Sequence, residues 1–217
     1  MLNYLVTGSN RGIGLEFCKQ LHSKGINVIA TCRESSKDLN ALGVEVIENV
    51  DITSDKSITN LKKRLRGINI DCLINNAGIA DYNSIENLDL KSIRRQFEIN
   101  ALSPLSFTKE LLSFIKKGSK IIFITSRMAS IEDNTSGGSY GYRMSKVALS
   151  MAAKSLSIDL FKKEIYVAIL HPGLVSTRMT GFTKNGISSE ESVIGLLKLI
   201  DSLNNTNTGS FWHTNGN

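Results

Sequence analysis

The chain predicts a Rossmann-type, doubly wound α/β fold with an all-parallel sheet. Three observations carry this: short apolar runs recur with amphipathic stretches between them, the runs are β-branched-rich and mostly non-alternating, and a glycine-rich loop follows the first run directly. Continuous apolar runs suit strands whose sheet is covered by helices on both faces. About seven strands in one domain spanning residues 1–217 are expected, because no linker-like tract, repeat or low-complexity segment divides the chain.

LNYLVT (Leu2 to Thr7) reads as the first buried strand, and TGSNRGIG (Thr7 to Gly14) leads from it into a helical pattern at Ile13 to Ser23. INVIAT (Ile26 to Thr31) and VEVIEN (Val44 to Asn49) follow as strands, then a helix at Ser54 to Leu65 and the strand IDCLIN (Ile70 to Asn75). A long helix is predicted at Leu88 to Lys116, ahead of the strand KIIFIT (Lys120 to Thr125). Another at Tyr142 to Lys162 precedes IYVAIL (Ile165 to Leu170), and a helix at Ser189 to Leu203 leads to a terminal strand at Gly209 to His213. Strict alternation of strand and helix implies that all strands point the same way.

The composition, 41% hydrophobic and 21% charged, is that of a globular protein and excludes disordered and collagen-like classes. No apolar run reaches the roughly 18 residues that a spanning helix needs. Met1 leads into a strand with no basic region before an apolar segment, so a cytoplasmic protein is expected. Cys18, Cys32 and Cys72 are odd in number and scattered, which suggests neither a disulfide frame nor a metal site. The net charge of +6 is dispersed, with no aromatic-flanked basic cluster. It reads as a solvated surface that steers an anionic ligand mildly, and nucleic acid is not an expected partner.

In a doubly wound sheet, ligands bind beyond the carboxyl ends of the strands, where the first loop opens onto a helix N-terminus. Gly8, Gly12 and Gly14 lie there, at spacings of four and two, with Ser9, Asn10, Arg11 and Ile13 between them. Glycine lets backbone N–H groups approach a pyrophosphate, and the helix dipole favours the anion. The second strand runs out as Thr31-Cys32-Arg33, with no acid before Glu34 to read a ribose 2′-hydroxyl. Arg33 and Arg11 instead suit a 2′-phosphate, which favours NADP(H) over NAD(H). Asp51, followed by Ile52, can touch the adenine edge or cap the helix beginning near Ser54.

Tyr142 and Lys146 are four apart at a predicted helix start and share a face, whereas Tyr140 does not join them. A phenol titrates near 10, and a neighbouring ammonium favours its ionised form, so Tyr142 is the candidate acid. The turns Asn75-Asn76-Ala77-Gly78, Thr125-Ser126 and His171 to Thr177 lie on the same sheet edge as the glycine loop. Ser126 can bond a substrate carbonyl, with Ser130 as a rival, and Thr177 can hold a nicotinamide carboxamide.

T-G-x-x-x-G-x-G at Thr7 to Gly14, N-N-A-G at Asn75 to Gly78, Y-x-x-x-K at Tyr142 to Lys146 and the Pro172-Gly173 turn occur in an order that resembles the short-chain dehydrogenase/reductase family. The segment Asp133 to Lys146 and the short C-terminal tail are similar to the sniffer-type carbonyl reductases and the C-signal proteins. The resemblance implies an NADPH-dependent reduction of a carbonyl, with Asn100, Ser126, Tyr142 and Lys146 as the catalytic set. The glycine loop, Asn76, Ala77, Gly78, Pro172, Gly173, Val175 and Thr177 would hold the cofactor. Asn100 would hold a water linking Lys146 to solvent, or merely bond a carbonyl at a helix irregularity caused by Pro104. Ser126 precedes Tyr142 by 16 positions, a longer gap than the family's usual one, and the insertion around Gly137 and Gly138 accounts for the difference. A short loop at about 178–188 would meet the substrate, with Met179 and Phe182 either contacting it or packing on the core. A homodimer or homotetramer is implied, and a signalling protein that binds the cofactor with little turnover is the alternative.

Overall fold

A computed structural model describes all 217 residues. The apolar runs form seven strands, β1 (Asn3–Thr7), β2 (Asn27–Thr31), β3 (Glu45–Ile47), β4 (Ile70–Asn75), β5 (Ile115–Ile124), β6 (Tyr166–His171) and β7 (Phe211–His213). They make one all-parallel sheet in the order β3-β2-β1-β4-β5-β6-β7. The order reverses direction between β1 and β4, so the loop after β1 opens at the switch point of the sheet.

Alternate side chains of each strand enter different cores, as the pleat requires. Leu5, Ile29, Leu73, Ile121 and Ile169 face one side. There they meet Ile58 and Leu61 of α3 (Asp55–Arg64), Phe107 and Leu111 of α5 (Ser103–Leu111), and Leu149 and Ala153 of α6 (Tyr140–Asp159). Their neighbours Val6, Ala30, Ile74, Ile122 and Leu170 face the other side. These meet Phe17 and Leu21 of α1 (Gly12–Ser23), Leu39 of α2 (Lys37–Asn40), and Val193, Leu196 and Ile200 of α7 (Ser189–Ser202). Both faces are therefore covered, which is why the strands read as continuous apolar runs. No helix is long and apolar enough to cross a membrane.

The long helix expected at Leu88 to Lys116 is broken. It consists of α4 (Leu90–Phe97), a π-helical stretch Glu98–Leu102, and α5. Pro104 has no N–H for the Asn100 carbonyl, and the backbone takes up an extra residue in that turn. The helix also ends earlier, because β5 begins at Ile115 rather than Lys120. Gly118, at φ +86°, cannot continue a helix, and its N–H donates to the Glu164 carbonyl. α2, absent from the sequence expectation, is a single turn started by the Ser36 hydroxyl accepting from Leu39 N–H. α6 starts at Tyr140, two residues ahead of its predicted start.

Candidate active site

A groove of about 1150 Å³ runs along the carboxyl edge of the sheet. Every predicted site residue lines it except Ser9 and Asn100. Gly8, at φ +67°, turns the chain out of β1, and a Cβ there would meet the Ala77 backbone at 3.0 Å. A Cβ on Gly14 would overlap the Gly8 carbonyl oxygen and come within 2.5 Å of Asn76 Nδ2. Asn76 in turn holds the loop, donating from Nδ2 to the carbonyls of Thr7 at 2.9 Å and Gly8 at 3.2 Å. Thr7 Oγ1 accepts from the N–H groups of Asn76 and Ala77. Ser9 lies beneath the loop, fully buried, with its hydroxyl donating to Val6 and its N–H to Thr31.

Arg11 is the N-cap of α1 and makes no side-chain cap bond, and no acid sits in the first turn. The first N–H groups of the helix are thus open to an anion in the groove. These features fit a dinucleotide: a cradle with glycine at positions 8, 12 and 14, open backbone donors at a helix start and a groove of sufficient volume.

At the end of β2, Arg33 and Arg11 are both exposed, and none of the five ion pairs of the chain engages either one. Asp51 does not cap α3; Ser54 does, accepting from Ser57 N–H. The Asp51 carboxylate accepts from the N–H and hydroxyl of Thr53 at 2.9 and 2.8 Å. Those bonds, together with nearby Arg33, hold it below the usual carboxylate range.

At the opposite end, Tyr142 and Lys146 share the inner face of α6, and Ser126 stands at the exit of β5. All three are buried. Lys146 Nζ lies 5.8 Å from the centroid of the Tyr142 ring and donates to the Ile124 carbonyl at 2.9 Å. Burial pushes the ammonium down to about 8. It pushes the Tyr142 phenol up to about 12, with Tyr82 adding to the rise and a hydrogen bond from Ser126 opposing it. Burial therefore dominates the phenol, contrary to the expectation that a neighbouring ammonium would favour its ionised form. Ser130 is exposed and is spent on the Asp133 N–H, so Ser126 is the serine that faces the tyrosine.

Asn100 is fully buried in the π-helical turn. Its amide pairs with both the N–H and the carbonyl of Ile79 at 2.8 Å, and Nδ2 also donates to Ser145 Oγ at 3.0 Å. A Cβ placed on Gly78 would lie 3.1 Å from Asn100 Oδ1 and 3.6 Å from Lys146 Nζ, so these two side chains face each other across that glycine.

The model of the short chain dehydrogenase family matches residues 3–187. The chain belongs to this family. Among curated relatives, it is 38% identical over 221 residues to the 1-hydroxy-2-glutathionyl-2-methyl-3-butene dehydrogenase of Rhodococcus sp. (strain AD45), covering 100% of this chain and 98% of that protein. It is 41% identical over 150 residues to the C-signal of Myxococcus xanthus, covering 68% of this chain and 90% of that protein. Among solved structures, the NADPH-bound carbonyl reductase from chicken fatty liver superposes with a TM-score of 0.89 at 31% identity, covering 99% of this chain and 96% of that one. The Sniffer carbonyl reductase of D. melanogaster gives 0.91 at 30% identity, covering 100% and 98%.

Several groove residues of this short-chain dehydrogenase escaped the sequence reading. Tyr82 tilts against Tyr142, with ring centroids 6.3 Å apart, from a segment with no periodic pattern. His171 and His213 bring their rings to 4.9 Å, although only the parallel pairing of β6 with β7 links them. His171 is pushed down to about 4 by burial, with His213 and Arg127 adding to the effect, and its Nδ1 has no hydrogen-bond partner. A smaller side cavity of about 550 Å³ is lined by Tyr82, Met128, Leu174 and Met179, among others. Met179 and Phe182 are 42% and 67% exposed on the groove wall rather than packed in the core.

Proposed function

We propose that this short-chain dehydrogenase is an NADPH-dependent carbonyl reductase acting on a small molecule. The observation that carries the reading is the convergence of buried Ser126, Tyr142 and Lys146 on a groove whose other end is the glycine cradle. The cradle residues Gly8 to Gly14, with Asn76 to Gly78 and Pro172 to Thr177, would hold the cofactor. Arg11 and Arg33 would meet its 2′-phosphate, and the NADPH-bound chicken reductase of the same fold supports that choice. When bound, the reduced nicotinamide supplies hydride to the carbonyl carbon.

The chain's own residues manage the proton and the charge. Tyr142, whose phenol is pushed up to about 12, keeps its proton at neutral pH and delivers it from Oη to the carbonyl oxygen. Ser126 donates to the same oxygen as charge builds there, a contribution often worth about 3 kcal/mol. Lys146 lends positive charge below the phenol, and Asn100, across Gly78, orients the water that returns a proton to the amine. Tyr82, Met128, Leu174 and Met179 supply apolar surface for the substrate's substituent, and the loop at about 178–188 would close against it. The name of the Rhodococcus relative describes an alcohol bearing a glutathionyl group, so such conjugates belong in the substrate panel. α6 exposes Met144, Val147, Met151 and Ile158, which supports self-association as a homodimer or homotetramer.

Tyr142→Phe tests the reading. With NADPH and isatin as a reactive dicarbonyl, turnover should fall by about 10² to 10⁴-fold while NADPH affinity is retained. Near wild-type turnover would remove the acid assignment. The match to C-signal favours a second reading, cofactor binding in service of signalling. NADPH binding without turnover across aldehydes, ketones and alcohols would establish it.

A further inference from the structure

The loop between β5 and α6 carries Ser126 at its start and delivers Tyr142 at its end, yet no apolar anchor holds it. Residues 130 to 137 are all exposed, and Ile131, the one large hydrophobe among them, is 88% exposed. Gly137, Gly138 and Ser139 are three consecutive left-handed residues, at φ +64°, +62° and +52°. For Ser139 that conformation costs roughly 1–2 kcal/mol. The Arg127 to Asp133 ion pair is solvent-exposed on both sides, which makes it a weak tie.

Arg143, the residue after Tyr142, reaches back into this loop. Its Nη1 donates to the Met128 carbonyl at 3.3 Å, and its Nη2 donates to Ser136 Oγ at 2.9 Å and the Gly137 carbonyl at 3.4 Å. Its backbone N–H donates to Ser139. One guanidinium thus ties the first turn of the loop to its far end, which the planar fork of arginine can span and a lysine ammonium cannot. Met128 completes the link: its N–H donates to Ser126 Oγ at 3.1 Å, occupying a lone pair and leaving the serine proton free.

We propose that Arg143 is a positioning residue for Ser126, clamping the enlarged β5–α6 loop so that the serine hydroxyl faces Tyr142. The clamp explains how this chain keeps its serine and tyrosine together across a longer gap. The inference rests on the carbonyl-reductase reading, which assigns Ser126 its work.

The test uses the full chain with NADPH and isatin. Arg143→Ala is expected to lower kcat by about 10 to 100-fold, the scale of a small misplacement of a reacting group, with the Kd for NADPH unchanged. Amide hydrogen exchange at Met128 and residues 136–139 should rise in the same variant. Placed in a Ser126→Ala background, Arg143→Ala should cost no further activity, since its effect passes through that hydroxyl. Arg143→Lys should remain as slow as the alanine variant. Should Arg143→Ala fail to fold, Ser136→Ala removes one acceptor from the guanidinium, and a partial loss of kcat is then expected. Wild-type kcat in these variants, or an equal fold-loss in the Ser126→Ala background, overturns the proposal. Wild-type protein inert toward isatin would count against the reductase reading instead, and unchanged exchange in the loop would still refute the clamp.

Discussion

Replacing Lys146 with methionine should separate what the residue does for the reaction from what it does to stability. Lys146 is 4% exposed, and burial lowers its ammonium from 10.5 to about 8. At about 1.4 kcal/mol per pKa unit, the native state disfavours the charged amine by roughly 3 kcal/mol at neutral pH. The substitution also leaves the Ile124 carbonyl without its donor, at about 1–3 kcal/mol, so the net gain at neutral pH is roughly 1 kcal/mol. The pH dependence is the sharper readout. Because the folded pKa lies below the unfolded one, the unfolded chain holds the extra proton between about pH 8 and 10.5. Through that window this group makes wild-type stability rise with pH, by up to about 1.4 kcal/mol per unit, and below it the full penalty is present. Urea unfolding of both proteins between about pH 7 and 10 reads this directly: the advantage of Lys146→Met should shrink as pH rises, while its reductase activity is lost at every pH. Parallel stability curves would mean that the amine is solvated in solution, and the argument from burial would fail.

Gly14→Ala should destabilise the chain by about 1–3 kcal/mol and weaken NADPH binding, because the new methyl group meets the Gly8 carbonyl and Asn76 Nδ2; thermal melts and a fluorescence titration measure the two effects. Arg33→Asp should weaken NADPH by about tenfold or more while leaving NADH nearly unaffected, and equal wild-type affinities for the two cofactors would remove the 2′-phosphate argument. Asn100→Leu strips partners from the Ile79 N–H, the Ile79 carbonyl and Ser145, and should cost about 3 kcal/mol in chemical unfolding.

The parts of this fold that announce themselves are those whose physics is local. The central strands β1, β2, β4 and β6 are apolar on both faces along most of their length because a helix covers each side, so each run is continuous and visible. The glycine loop is legible because Gly8 needs a positive φ and Gly14 has no room for a Cβ. Tyr142 and Lys146 are legible because helical spacing alone places them together. The N-terminal half of β5 is hidden because Lys116, Lys117 and Gly118 are exposed and pair irregularly, with the register shifting between Ile70 and Cys72. The His171 and His213 contact is hidden because it depends on β7 docking beside β6. Ser9 misleads for a different reason: it lies inside a binding motif, yet its hydroxyl is consumed by Val6.

The unpaired buried polar atoms cluster near the Tyr142 end of the molecule. Elsewhere buried polar groups have partners: Asn75 donates to Thr108 and Ser157 to the Lys154 carbonyl, and the partly buried Lys120 donates to the last carbonyls of α7, where the helix dipole favours a cation. The buried side-chain atoms that lack partners are both amide atoms of Asn83, Nε of Arg143 and Nδ1 of His171. All three residues border the Tyr142 end: Asn83 follows Tyr82 and accepts from Ser139, Arg143 follows Tyr142, and His171 precedes the Pro172-Gly173 turn. Such atoms cost roughly 1–3 kcal/mol each when left unmade. Of the three, only His171 lines the groove, so under the proposed reading its Nδ1 is the open acceptor or donor available to a bound molecule, while Asn83 and Arg143 lie in the wall behind Tyr82 and Tyr142.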